Sequence, residues 1–132
     1  MKTIAATMLL SLVSLRLSAQ TNSCPLQPLL VKNLASQISV SLKNIGPKQV
    51  ASYQIGLTFY DVNGKVHAFP HSFSDNLTLK TRGKRTAIWH SPNVHQYLFP
   101  FAQAFLIDAT FTDGTSWTDD GSHACSVTSA QE

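Results

Sequence analysis

The sequence predicts an all-β fold, an immunoglobulin-like β-sandwich of about seven strands. Three observations carry this. Apolar and polar residues alternate in several short runs, Gly, Pro, Asn and Asp clusters punctuate the chain at intervals of about 8 to 12 residues, and no stretch of normal helix length repeats apolar residues at helical spacing. With 43% hydrophobic and 13% charged residues the chain has the composition of a packed domain rather than a disordered one.

Residues 1–19 predict an export signal. Lys2 is followed by an apolar run from Ile4 to Leu15, and Ser18-Ala19 supplies small residues for cleavage after Ala19 or Gln20. The run is shorter than the roughly 20 apolar residues of a spanning helix, and no later segment is long enough, so no stable membrane insertion is expected once the signal is gone. Residues 20–132 are then a single domain. Lys2 and Arg16 leave with the signal, and the 10 cations and 7 acids of the whole chain fall to 8 against 7. That balance removes any ground for a nucleic-acid partner.

Cys24 and Cys125 are the two cysteines, 101 positions apart, and an exported chain with this pair predicts a disulfide stapling the domain near its ends. They fall just before the first expected strand and just after the last. Gln37 to Asn44 alternates, with Ile38, Val40 and Leu42 on one face, and stops at Gly46-Pro47. Val50 to Tyr60 places Tyr53, Ile55, Leu57 and Phe59 on one face, and Asn63-Gly64 turns the chain so that Lys65 to Phe69 returns as a hairpin. Pro70 limits that strand. Leu77 and Leu79, the Arg82-Gly83-Lys84 turn and Thr86 to His90, with Ile88 central, predict a second hairpin. Ser91 to Pro100 reads as the long crossover of the sandwich. Gln103 to Phe111, apolar on both faces, reads as a central strand, and Thr112-Asp113-Gly114-Thr115 turns it into a short strand at Ser116-Trp117-Thr118.

Two stretches carry a family resemblance. Leu57-Thr58-Phe59-Tyr60-Asp61-Val62-Asn63-Gly64-Lys65 and Phe111-Thr112-Asp113-Gly114-Thr115-Ser116-Trp117 are similar to the strand-and-turn signatures of secreted bacterial immunoglobulin-like modules of the FxLYD type and related exported domains. The resemblance covers roughly residues 36 to 120. Leu57 stands where that pattern has Phe, and Phe59 where it has Leu. It implies a non-catalytic module and carries no catalytic residues.

The residues themselves offer several sites. Lys80, Arg82, Lys84 and Arg85 gather four cations at one expected hairpin tip, where they suit anionic polysaccharide, lipid headgroups or an acidic protein patch. The plainer reading is a solvated turn that keeps a sheet edge from aggregating. Tyr97 and Phe99, within Tyr97-Leu98-Phe99-Pro100-Phe101, form either an apolar contact patch or a plug over the open end of the sandwich. Trp89 and Trp117 read as packing beside turns. Five histidines invite a metal, but His67 and His71 on a strand would stand about 13 Å apart, and His123 beside Asp119 and Asp120 fails if Cys125 is oxidised. No metal and no cofactor are expected. No G-x-S-x-G, H-E-x-x-H or phosphate-loop motif is present, and the only glutamate is Glu132.

The sequence therefore predicts a secreted or periplasmic, non-catalytic binding or structural module, a monomer or weak oligomer. It would contact a protein or surface glycan through loops or an edge strand. A small exported enzyme or inhibitor with a site in the Ser91 to Phe101 loop, answering to His90, His95 or Asp108, is the alternative.

Overall fold

The computed structural model describes residues 24–34, 36–91 and 99–130; the expected signal, Tyr97, Leu98 and His95 lie outside them. The described residues form nine strands and no helix: β1 (Leu26–Leu34), β2 (Gln37–Asn44), β3 (Val50–Tyr60), β4 (Val66–Ala68), β5 (Phe73–Leu79), β6 (Lys84–His90), β7 (Phe101–Phe111), β8 (Ser116–Thr118) and β9 (Ser126–Ala130). Two antiparallel sheets face each other as an immunoglobulin-like sandwich. The small sheet has the order β1-β2-β6. In the large sheet β3 and β7 are the central pair, with β4 and β5 along the free side of β3 and β8 and β9 along the free side of β7. Strands β4 and β8 are only three residues long, so seven longer strands build the sandwich and each edge of the large sheet is a strand broken in two.

The alternation read from the sequence places the core. Ile38, Val40 and Leu42 of β2 face Tyr53, Ile55, Leu57 and Phe59 of β3 across the interior, and all are buried. Each such side chain contributes about 1.5 to 3 kcal/mol of apolar burial. Strand β7 does not follow a strict alternation. Its register with β3 slips between Gln54 and Ile55, opposite Asp108 and Leu106, and Ile107 is the extra residue. The bulge turns Ala102, Ala104, Leu106 and Ala109 inward and leaves Phe105 on the outer face, where it lies across Gly56. A Cβ at Gly56 would run into the Phe105 ring, so a larger residue there would have to displace that ring.

The second expected hairpin is not one. Strand β5 pairs with β3 in the large sheet, whereas β6 pairs with β2 along seven residues of the small sheet, and Lys80–Gly83 arches between the sheets. The inward face of β6 is Arg85, Ala87 and Trp89 rather than Ile88, which is 52% exposed. An arginine can face inward because its partner waits on β5: Arg85 Nε donates to Asp75 Oδ2 at 3.1 Å. The Trp89 indole donates to the Ser74 carbonyl at 2.9 Å. These bonds close one open side of the sandwich.

The disulfide closes the other. Cys24 and Cys125 are bonded, with Cα atoms 5.6 Å apart, linking the chain just before β1 to the chain just before β9. Cys125 therefore does not follow the last strand, as the sequence predicts. Ser126–Ala130 extends beyond it and pairs with β7, a strand too short and too rich in Ser and Thr to show an apolar face. Gln27 Nε2 reinforces this side by donating to the Ser126 carbonyl at 3.2 Å.

The turns behave as their residues dictate. Asp61 N–H donates to the Lys65 carbonyl and Phe111 N–H to that of Thr115, which makes both hairpin loops three residues long. Gly64 at φ 79° and Gly114 at φ 88° supply the left-handed residue that such loops end on. At the opposite connection Asn44, fully buried, donates from Nδ2 to the carbonyls of Lys48 and Leu79 at 2.9 Å each and accepts from Gly46 N–H at 3.1 Å. One amide side chain thus ties the β2–β3 connection to the β5–β6 arch.

Candidate functional site

The arch sets the position of the basic residues. Arg82 N–H donates to the Asn44 carbonyl at 2.7 Å and Gly83 N–H to that of Lys80 at 2.8 Å, which fixes the tip, and Arg82 adopts φ 66°. An arginine in this left-handed region costs about 1 kcal/mol or more relative to glycine. Lys80, Arg82 and Lys84 project outward and are exposed. Arg85 is separate from them: it points between the sheets and joins Asp75, which also accepts from the Tyr53 hydroxyl at 2.8 Å. Burial first, then the bond to Asp75, pushes the Tyr53 hydroxyl well above the usual phenol range, and Asp75 raises Arg85 further. The four expected cations are therefore three at the surface and one in a structural link.

Two further lysines join the three. Lys43 lies directly opposite Lys84 across the β2–β6 ladder, and Lys32 lies opposite Ser39 on the same outer face. Strands β1, β2 and β6 carry four cations and no carboxylate, whereas the aspartates lie on the large sheet and its turns. Among the described residues the ion pairs take up Lys48, His67 and Arg85 and none of Lys32, Lys43, Lys80, Arg82 or Lys84. In the row next to Lys43 and Lys84, Ser41 and Thr86 are bonded across the strands at 2.9 Å. Lys32 and Lys43 are not singled out by the sequence, because their convergence with Lys84 depends on β6 joining β2 rather than β5.

The other expected sites are dispersed. Phe99 is half-buried, stacked on the His67 ring at 4.4 Å and tilted against Phe59 at 6.4 Å. His67 Nε2 meets Asp61 Oδ2 at 3.0 Å; that contact first, then the Lys65 N–H, holds the Asp61 carboxyl below the usual range. His71 packs edge-on to Phe69 at 5.5 Å. His123 stacks on Phe105 at 3.6 Å, and Asp119 and Asp120 accept backbone N–H groups of their own loop, while Cys125 is consumed by the disulfide. Among the described residues no three His, Cys, Asp or Glu side chains gather as a metal site would require. His90 lies on the outer face of the small sheet opposite Gln37, and Asp108 on that of the large sheet beside Gln54 and Thr118. The two are thus on opposite sides of layers packed about 10 Å apart.

A cleft of about 220 Å³ opens at the arch end of the sandwich, lined by Cys24, Pro25, Pro47, Phe111 and Trp117, with Lys48 beside them. Lys48 Nζ is 3.2 Å from Asp113 Oδ2 and 5.3 Å over the Phe111 ring. The Asp113 carboxyl is drawn down to about 2, chiefly by the Thr115 hydroxyl and N–H and then by Lys48.

No helix of the described residues is long and apolar enough to cross a membrane. No protein-family model matches the chain, and no curated protein matches it. Among solved structures the chain is similar to one described as "X-ray structure of Northeast Structural Genomics Consortium target SoR45", at 10% identity over 70% of this chain and 74% of that chain, with a TM-score of 0.39. A likeness at that level carries no argument about what the chain does.

Proposed function

We propose that this domain is an exported, non-catalytic binding module that docks by charge on an anionic partner through the Lys80–Lys84 arch and the adjoining outer face of the small sheet. The observation that carries the reading is the segregation of charge: Lys32, Lys43, Lys80, Arg82 and Lys84 stand together outside any ion pair of the described residues. Cations left without acidic neighbours raise the local potential and steer an anionic surface toward them. Arg82 adds support, since it occupies a positive φ that glycine would adopt at lower cost and so places a cation at the tip at some expense to stability. The disulfide is compatible with an oxidising compartment. Of the residues named for the enzyme or inhibitor alternative, His90 and Asp108 stand on opposite outer faces, and His95 lies outside the described residues.

The test is the salt concentration that releases the protein from an immobilised acidic polysaccharide or acidic protein. Changing Lys80, Arg82 and Lys84 together to Gln is expected to weaken low-salt retention by on the order of tenfold or more without lowering the unfolding midpoint. Arg85→Gln is expected to do the reverse, lowering the midpoint through the loss of its bond to Asp75 while leaving retention largely intact. Unchanged retention in the triple variant would sink the proposal.

A further inference from the structure

The cations of the small sheet do not stand alone on it. Of the seven large hydrophobic side chains exposed among the described residues, four belong to this region: Leu29 and Leu30 on β1, Ile88 on β6 and Ile45 at the foot of β2. The register interleaves two of them, Leu30 and Ile88, with the charges. Gln27, Lys43 and Lys84 form one row across the sheet, Leu30, Ser41 and Thr86 the next, and Lys32, Ser39 and Ile88 the one after. A face serving only to keep the domain soluble has no use for exposed aliphatics on both of its edge strands, Leu30 on β1 and Ile88 on β6, and an acidic glycan offers them little to pack on.

We infer that the outer face of the small sheet seats on an anionic lipid surface, an inference that rests on the reading of the domain as a charge-docking module. Three features of the face fit that partner together. Lys43 and Lys84 face each other across the ladder, where like charges repel, and a lipid phosphate between them turns the repulsion into attraction. Leu30 and Ile88, 40% and 52% exposed, are placed to enter the boundary between headgroups and acyl chains while the lysines stay at headgroup level on their flexible stems. No carboxylate on β1, β2 or β6 opposes approach to a negative surface. Contact is peripheral: the sheet lies on the surface and nothing of it crosses.

The experiment is co-sedimentation of the purified protein with vesicles of equal parts phosphatidylglycerol and phosphatidylcholine, against vesicles of phosphatidylcholine alone. Partitioning onto the anionic vesicles only, reversed by high salt, is the expected result. Each cation removed should lower the partition coefficient roughly fivefold, so Lys43→Gln with Lys84→Gln should lower it roughly 25-fold. Leu30→Ser with Ile88→Ser should lower it too at unchanged charge. Lys65→Gln, on the β3–β4 turn of the other sheet, should leave it within twofold. Equal partitioning of the Leu30→Ser, Ile88→Ser variant overturns the inference, because the contact would then be charge alone. If the protein is held by an acidic polysaccharide matrix but ignores anionic vesicles, the lipid assignment falls and the charge-docking function stands. If neither surface holds it, both fall.

Discussion

Tyr53 is 1% exposed, and its hydroxyl donates to the Asp75 carboxylate that Arg85 also holds. Alternation alone puts Tyr53 on the inner face of β3. It says nothing of Asp75 or Arg85, because those lie on strands whose pairing partners the local pattern leaves undetermined. The arrangement has a consequence at alkaline pH. Burial and the neighbouring carboxylate raise the hydroxyl above its ordinary value of 10.0, so the unfolded chain loses this proton before the folded one does. The contribution of Tyr53 is fully present below that ordinary value and drains away as the pH climbs past it toward the folded value. Urea midpoints measured on rising pH should therefore fall more steeply for the parent protein than for Tyr53→Phe. Equal slopes would mean that the phenol is not held neutral by the fold.

Asn44 acts on whole elements. It ends β2, satisfies a carbonyl of the β2–β3 connection and another at the end of β5, and through its own main chain receives Arg82 N–H of the arch. Replacing it with alanine leaves one buried donor and two acceptors without their partner, which should lower stability by about 2 to 4 kcal/mol. Asn44→Asp, which keeps an acceptor for Gly46 N–H but loses both donations, should also destabilise. Chemical unfolding checks both, and a loss below about 0.5 kcal/mol for alanine would show that water replaces the amide there. The elements also mark where sequence reading stops. The β3–β4 and β7–β8 hairpins are legible because their Asp and Gly residues encode the loop locally. The Lys80–Gly83 connection contains the same kind of residues and yet is an arch, since its outcome depends on which edge β6 finds: it pairs in register with the free edge of β2, and from there Trp89 reaches back to the Ser74 carbonyl of β5. That distinction also decides the candidate surface. The tip cations are visible in the sequence, but Lys43 and Lys32 become their neighbours only once β6 has joined β2.

At the scale of the molecule, two sheets that share one core are sealed along both open sides, by Arg85–Asp75 and Trp89–Ser74 on one and by Cys24–Cys125 on the other. The sandwich class is legible because β2 alternates cleanly and β3 keeps its apolar residues on one face, and the disulfide because two cysteines have one possible pairing. Strand β9 is not, having no apolar stripe. The disulfide closes a separation of 101 residues, and its removal should cost about 4 to 5 kcal/mol on the chain-entropy account. Cys24→Ser with Cys125→Ser, compared with the parent in oxidised and reduced form, should reproduce the reduced midpoint. A variant as stable as the oxidised parent would show that the bond constrains little in the unfolded chain.

That same bond governs how the domain answers to force. Tension applied to the chain before Cys24 and after Ser126–Ala130 passes from one sulfur to the other without entering the loop they enclose. The load reaches β9, with its pairing to β7 and its bonds to Gln27 and Val31 of β1, while the arch and the pairing within the small sheet lie in the shadow of the covalent bond. A domain pulled by its ends would lengthen by a single strand and then stop, the outer face of its small sheet still folded.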